Sequence, residues 1–283
     1  MNQECVKFQE RINKELLKHK VITHNPFTQW FAKGEANFEQ VKAFIVQFSV
    51  FSNLFLIAQL KKMINADSLE GMRASKEILA NEIGVIFKNK KDKKARGKSI
   101  LVSTEGTVEG GTFRFQAGHF EWLLKIASTL NLSFQDIGKR RYGTASTLHF
   151  CDELARLYGN ENYEISQAAS YAVENWAAAG FWKELVQGLK KFRVKYSLDL
   201  PLAFFTWHDR LEEQHALHTQ EELEEYFLEH KIDQDKFIKH GNEMMDAIWV
   251  FWDGLDKQRK KLVESKYRIP RGPSRGMTNG MQG

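Results

Sequence analysis

Apolar residues recur every three to four positions along most of this chain, which is the period of helices with one buried face. Residues 3 to 20 predict a first amphipathic helix with Val6, Ile12, Leu16 and Leu17 inward. Asn25-Pro26 starts a short helix through Phe31, and Gly34 ends it. Asn37 is placed to cap the next helix, with Gln40 three positions on as in a capping box. Along that helix Phe38, Val41, Phe44, Ile45, Phe48, Phe51, Phe55 and Leu56 form an aromatic stripe. Such a stripe reads first as core, and at one or two positions as the wall of an apolar pocket. Residues 68 to 87 carry the next helical face through Leu69, Met72, Ile78, Leu79, Ile83 and Ile86.

The period then breaks. Residues 88 to 98, KNKKDKKARGK, hold seven basic side chains, and 99 to 118 continue with Thr, Gly and Glu. A run this charged does not pack, so an outward-looping insertion over 88–116 is expected, with ILVSTEG and GTFRF as strands of a small β-hairpin. Helical order returns at 117–132 through Trp122, Leu123, Ile126 and Leu130, and again at 144–159. Residues 163–193 read as one long helix or two abutting ones broken near Gly180, and Pro201 opens a helix across 200–230. A last amphipathic helix spans 235–266, with Phe237, Met244, Met245, Ile248, Phe251, Trp252 and Leu255 inward. The tail 267–283 is rich in Gly, Pro and Arg and is expected to be disordered. The pattern predicts a single all-α domain over residues 1–266.

Composition narrows this picture modestly. With 283 residues and 42% hydrophobic content the chain can bury a substantial core. The net charge of +5 is largely local to the 88–98 run and does not by itself argue for nucleic acid. Two distant cysteines, Cys5 and Cys151, fit a reducing compartment and offer no disulfide framework. The first twenty residues lack the apolar core of a signal peptide, and no run nears ~18 continuous apolar residues. A cytoplasmic protein without membrane or nucleic-acid partners is the expectation.

Candidate chemistry concentrates in WHDRLEEQHALHTQEE, residues 207–222. At ~100° per residue, offsets of four and seven place His208, Glu212 and His215 within roughly 40° of one another on a helix. Imidazole and carboxylate without thiolate suit iron, manganese or zinc. A helix rich in Glu and His is also what a solvated face looks like, so further ligands must come from elsewhere. Glu82 sits among Leu79, Ile83 and Ile86, and Glu174 stands in an otherwise uncharged run from Ile165 to Trp182. A carboxylate in such a setting demands a partner. His119 lies near a helix start, with Glu121 as its rival ligand. His149 and Glu153 share i, i+4 spacing but lack a third and fourth ligand, and Cys151 reads as a small buried apolar residue.

Several of these segments together resemble one family. HNPF followed by a short helix, a glycine and a long aromatic-rich helix is similar to the opening of the haem-oxygenase-like helical proteins. That superfamily includes thiaminase-II-like and pyrroloquinoline-quinone-synthase-like enzymes and non-haem di-iron oxidases. NEIG at 81–84 resembles the N-E-L-G element of the di-iron branch. GHFEWLLKIASTLNL resembles its second element, after a longer insertion than usual. The helix bearing Glu174 resembles one that supplies a single Glu. His208, Glu212 and His215 match H-x3-D/E-x2-H, with Glu where Asp is commoner. The resemblance covers about residues 3 to 260 and implies a bundle of about seven to eight helices. It also implies two iron ions held by Glu82, His119, Glu174, His208, Glu212 and His215, with manganese–iron occupancy as a variant. The implied activity is O2-dependent oxidation of a small amino-acid-like or fatty-acid-like molecule by N-oxygenation, desaturation or C–C or C–N cleavage, in natural-product or cofactor biosynthesis. An external electron donor and a homodimer are compatible with it, and no catalytic side chain beyond the ligands is assigned. Phe44, Phe48, Phe51, Trp176 and Trp207 are expected to line the substrate pocket; Arg210 and Lys183 read first as surface residues, with contact to a substrate carboxylate as the second reading. Two alternatives stay open. One is a thiaminase-II-like or pyrroloquinoline-quinone-synthase-like enzyme without metal, the former needing a pocket cysteine. The other is a binding module that uses the 88–98 run on an anionic partner.

Overall fold

The structure is a computed structural model that describes residues 3–89, 111–115, 117–210, 223–224, 226–227 and 232–267. Among these residues it is all-α apart from one two-stranded ribbon. The expected first helix is divided. α1 (Gln3–Glu15) buries Cys5, Phe8 and Ile12, whereas Val6 is exposed, one position off the predicted face. α2 (Lys20–Thr23) starts afresh because His19 Nδ1 accepts the backbone N–H of Val21. α3 (Pro26–Ala32) is capped by Asn25, whose Oδ1 accepts from Phe27 and Thr28. α4 (Phe38–Ile64) begins with the expected capping box: Gln40 N–H to Asn37 Oδ1 at 3.0 Å and Asn37 N–H to Gln40 Oε1 at 2.9 Å.

α5 (Leu69–Glu82) stops earlier than the apolar period suggests. Gly84 adopts φ +72°, a left-handed conformation that glycine accepts without a Cβ penalty. The chain then leaves as β1 (Val85–Asn89), antiparallel to β2 (Gly111–Phe115), with Val85 opposite Phe115 and Asn89 opposite Gly111. GTFRF is therefore a strand as expected, but its partner is VIFKN; ILVSTEG lies outside the described residues. The apolar face foreseen on α5 is largely uncovered as well, with Leu69, Met72, Ile78 and Ile83 exposed and Ser75 buried.

α6 (His119–Thr129), α7 (Ala145–Leu157), α8 (Tyr163–Ala177), α9 (Phe181–Lys195), α10 (residues 203–210) and α11 (Gln234–Tyr267) complete the bundle. Eleven helical segments among the described residues exceed the seven to eight expected, in part because the expected first helix divides into α1 and α2 and because α8 and α9 part at Gly180, φ +86°. α11 packs on α7 and α8, α4 packs on α5, α6 and α7, and α3 lies on α9. α4 is long and apolar enough to cross a membrane by length and composition. Its buried residues, including Val41, Phe44, Ile45 and Phe48, instead join the core against Phe251 and Trp252 of α11.

Candidate metal centre

Glu82 is the last residue of α5, and His119 is the first of α6. Gly118 brings them together. A Cβ there would lie 2.8 Å from the carbonyl oxygen of Glu82 and 3.1 Å from the carbonyl carbon of Ile83, so only glycine lets α6 start against the end of α5. Glu121 accepts the Gly118 N–H through Oε2 at 2.7 Å, which occupies the rival ligand as a helix cap. His119 is left facing inward, 3% exposed, with Nδ1 2.7 Å from Glu82 Oε2. That contact pairs Nδ1 with the carboxylate, while the buried Nε2 has no hydrogen-bond partner. Buried polar atoms are nearly always satisfied, and an exception calls for a reason.

The third side chain comes from α10. His208 Nδ1 lies 2.7 Å from the carbonyl oxygen of Phe204, one turn back. A carbonyl only accepts, so Nδ1 carries the proton and Nε2 is the ring nitrogen that could serve as a ligand. Trp182 stacks on this imidazole at 4.5 Å and 19°, and Trp207 meets His119 edge-on at 4.8 Å. One donor atom each from Glu82, His119 and His208 lie within 4.8 Å of one another. At metal–ligand bonds of ~2.1 Å, ligands of one ion span up to ~4.2 Å, so a small side-chain rotation closes the set. Two imidazoles and a carboxylate suit iron, manganese or zinc, and the orphaned Nε2 of His119 fits a metal better than it fits an apolar core.

The cluster opens on a cavity of about 210 Å³ between α4, α5, α8, α9 and α10. Glu82, Glu174 and His208 lie on its wall, so the carboxylate singled out on α8 shares the space with the cluster on α5, α6 and α10. Of the expected pocket residues, Phe48, Phe51, Trp176 and Trp207 line it. Phe44 does not: it is 1% exposed and packed among Phe27, Phe31, Phe48 and Phe205 at 5.1 to 6.0 Å, one turn away in the core. Arg210 and Lys183 are exposed and absent from the lining, as the surface reading of both expects. Glu212 and His215 lie outside the described residues. His149 is exposed, and Glu153 pairs with Arg156 at 2.6 Å away from the cavity.

Sequence reasoning missed Trp182, Phe204, Phe55 and Asn81 on the wall. Phe204 was accessible in principle, because it lies four residues before His208 on the same helical face. Trp182 follows the Gly180 break and reaches the site only through the tertiary fold. Neither cysteine lines the cavity. Burial pushes the Cys5 thiol up from its ordinary value and the Cys151 thiol up to about 12. A thiolate nucleophile in this pocket, as the thiaminase-like alternative needs, is therefore absent among the described residues.

No family model matches the sequence, and no curated protein matches it. Solved structures do match. A domain of unknown function with a haem oxygenase-like fold from Shewanella denitrificans is 15% identical, with 92% of this chain and 94% of that chain covered and a TM-score of 0.59. A CADD-like protein of unknown function from Nostoc punctiforme is 17% identical, with 94% and 98% covered and a TM-score of 0.56. Likeness at such identity speaks to architecture alone. The chain has an all-α, haem-oxygenase-like fold, with three side chains at its centre that could hold a metal ion.

Proposed function

We propose that this protein is an O2-activating non-haem di-iron oxidase or oxygenase acting on a small apolar-bodied metabolite. The observation that carries the reading is His119: a buried imidazole paired with Glu82 through Nδ1 and with no hydrogen-bond partner at Nε2, beside His208, at one end of an aromatic cavity. Glu174 on the same cavity wall is the natural further carboxylate. Glu212 and His215 enter through the H-x3-E-x2-H spacing from His208 alone. Such a set, drawn from several helices of a bundle, follows the pattern of carboxylate-and-imidazole di-metal sites.

Iron, when bound, would supply the electrons for O2 reduction and the oxidising power to functionalise an unactivated bond. The chain's own residues do the rest. Phe204 holds the His208 ring in one tautomer through its carbonyl. Carboxylates from α5 and α8 offset the charge of cations held in an apolar surround. Phe48, Phe51, Phe55, Trp176, Trp182 and Trp207 present faces that bind a substrate by burial at ~25 cal/mol per Å² and keep water from the reacting centre. A cytoplasmic enzyme taking electrons from an external donor is part of the same proposal.

The test is anaerobic Fe(II) titration followed by rapid mixing with oxygenated buffer under stopped-flow absorbance. About two irons per chain and a transient visible band are expected. Glu174→Ala and His208→Ala should each lower the stoichiometry. Wild type that takes up no iron, or variants that take up as much as wild type, would count against the reading.

A further inference from the structure

Seven tryptophans occur in the chain, and they are not scattered evenly. Trp122, Trp176, Trp182 and Trp207 surround the metal cluster and its cavity. Trp252 and Trp30 lead away from it. Trp182 stacks on His208 at 4.5 Å. From Trp182 the rings continue to Phe181 at 4.6 Å and from Phe181 to Trp252 at 5.4 Å. Trp252 meets Phe27 at 5.7 Å, and Phe27 meets Trp30 at 5.6 Å. Trp30 is half-buried, with the Arg259 guanidinium 4.0 Å above its ring and that charge offset by Asp256. A line of indoles, each separated from the next by one phenyl ring, thus joins the candidate metal site to the protein surface.

We propose that Trp182, Trp252 and Trp30 pass single electrons from the surface to the site. The proposal rests on the redox reading above. Tunnelling decays exponentially with distance, so steps of one ring are fast where a single jump through the core is not. Indole can lose an electron and regain it; phenylalanine serves only as the bridge. Trp182 gives one electron to the oxidised site and becomes a radical cation. Trp252 reduces Trp182, Trp30 reduces Trp252, and a one-electron donor in solution reduces Trp30. One electron moves inward per pass, no bond forms or breaks, and each indole returns to its starting state. A second observation fits this use. The Nε1 atoms of Trp252 and of neighbouring Trp176 are buried without a hydrogen-bond partner. With no base at hand the radical cation keeps its proton, so the hole is not trapped as a neutral radical in mid-path.

The experiment needs no iron. Arg210→Cys places a thiol at an exposed position of α10 for a ruthenium polypyridyl photo-oxidant, and the buried native cysteines do not compete for the label. Trp122→Phe closes the short branch from Trp207 to half-buried Trp122. After flash-quench oxidation, modified tryptophans are mapped by peptide mass spectrometry, with unlabelled protein as the blank. Oxidation at Trp30 is expected, falling at least ten-fold in Trp252→Phe while Trp182 is still modified. Should Trp252→Phe fail to fold, Trp30→Phe decides: the core indole radical should outlive that of the parent several-fold by transient absorbance. Equal Trp30 oxidation with and without Trp252, or an unchanged radical lifetime in Trp30→Phe, overturns the path. Iron stoichiometry is measured separately. A protein that passes holes but takes up no iron defeats the functional reading and keeps the path, and the converse result does the opposite.

Discussion

The double substitution Glu82→Leu with His119→Leu asks the candidate centre for two opposite responses. The two side chains are 14% and 4% accessible, and Leu resembles both in volume. Without metal the native pair is a liability. The imidazole has a buried Nε2 with no hydrogen bond, an arrangement that costs about 1–3 kcal/mol relative to a satisfied group. Replacing a buried charged or polar pair by apolar residues of similar size is often neutral or stabilising, by ~1–4 kcal/mol. A gain of about 2 kcal/mol is the expectation, which for a domain of this size raises Tm by roughly 4–8 °C. With metal the order changes. A ligand at a hundred times its Kd stabilises the folded state by ~2.7 kcal/mol, and the double variant should show none of this. Differential scanning calorimetry in a chelator and in excess Mn(II), which avoids oxygen chemistry, reads both arms. His119→Leu alone should be less stable than the double variant, because Glu82 then loses its neighbour while remaining mostly buried. If the double variant is less stable than wild type in chelator by more than about 1 kcal/mol, the pair is structural. If Mn(II) raises its Tm as much as it raises the wild type's, the metal binds elsewhere.

Three further outcomes follow from the same coordinates. Gly118→Ala is allowed at φ −76°, so its cost is the clash with the Glu82 carbonyl, about 1–3 kcal/mol, and the displaced α6 should weaken Mn(II) affinity by roughly ten-fold in calorimetric titration; unchanged affinity and stability would show that the close approach does not position His119. Cys151, its thiol pushed up to about 12 by burial, should resist iodoacetamide at neutral pH in the folded protein and react once denatured, by peptide mapping; rapid native alkylation with loss of activity would restore the thiol-enzyme alternative. Hydrogen bonds from Arg140 hold the Asp152 carboxyl below its ordinary value, so the pair stabilises above an unfolded pKa of ~3.9 and is lost as pH falls through the lower folded value. Because both side chains are more than half exposed, Asp152→Asn should cost no more than about 1 kcal/mol at pH 7, with the difference from wild type vanishing in acid; a gap that persists at pH 2 in thermal melts would assign the effect to something other than this charge.

The helices were legible where one local rule decides them. Asn37 and Gln40 announced α4, Asn25-Pro26 announced α3, and the Gly180 break was visible as one of two readings of 163–193. Period failed where it ran through a structural boundary. Ile83, Val85 and Ile86 extend the apolar repeat of α5 past Gly84, yet the left-handed glycine stops the helix and the same residue types then suit a strand. Burial failed on α4 for a related reason. That helix is apolar on nearly every side, so the stripe does not say which phenylalanines face the cavity: Phe48, Phe51 and Phe55 do, while Phe44 is one turn into the core.

A different logic governs the site. Glu82 and Glu174 could be picked out because each contradicts its surroundings, as a polar group in a run that otherwise asks for burial, whereas His208 came from the spacing of its helix and His119 from its place at a helix start and the resemblance. Trp182 and Phe204 obey their surroundings, so nothing local separates a cavity wall from a core residue. The same contradiction that makes a ligand readable makes it costly, and the cost is concentrated where Gly118 forces α6 against α5. A sequence selected only for folding would place an apolar residue at His119 and relieve the orphaned Nε2. That it does not is the physical argument for an occupant, and the two arms of the calorimetric experiment measure the cost and the repayment independently.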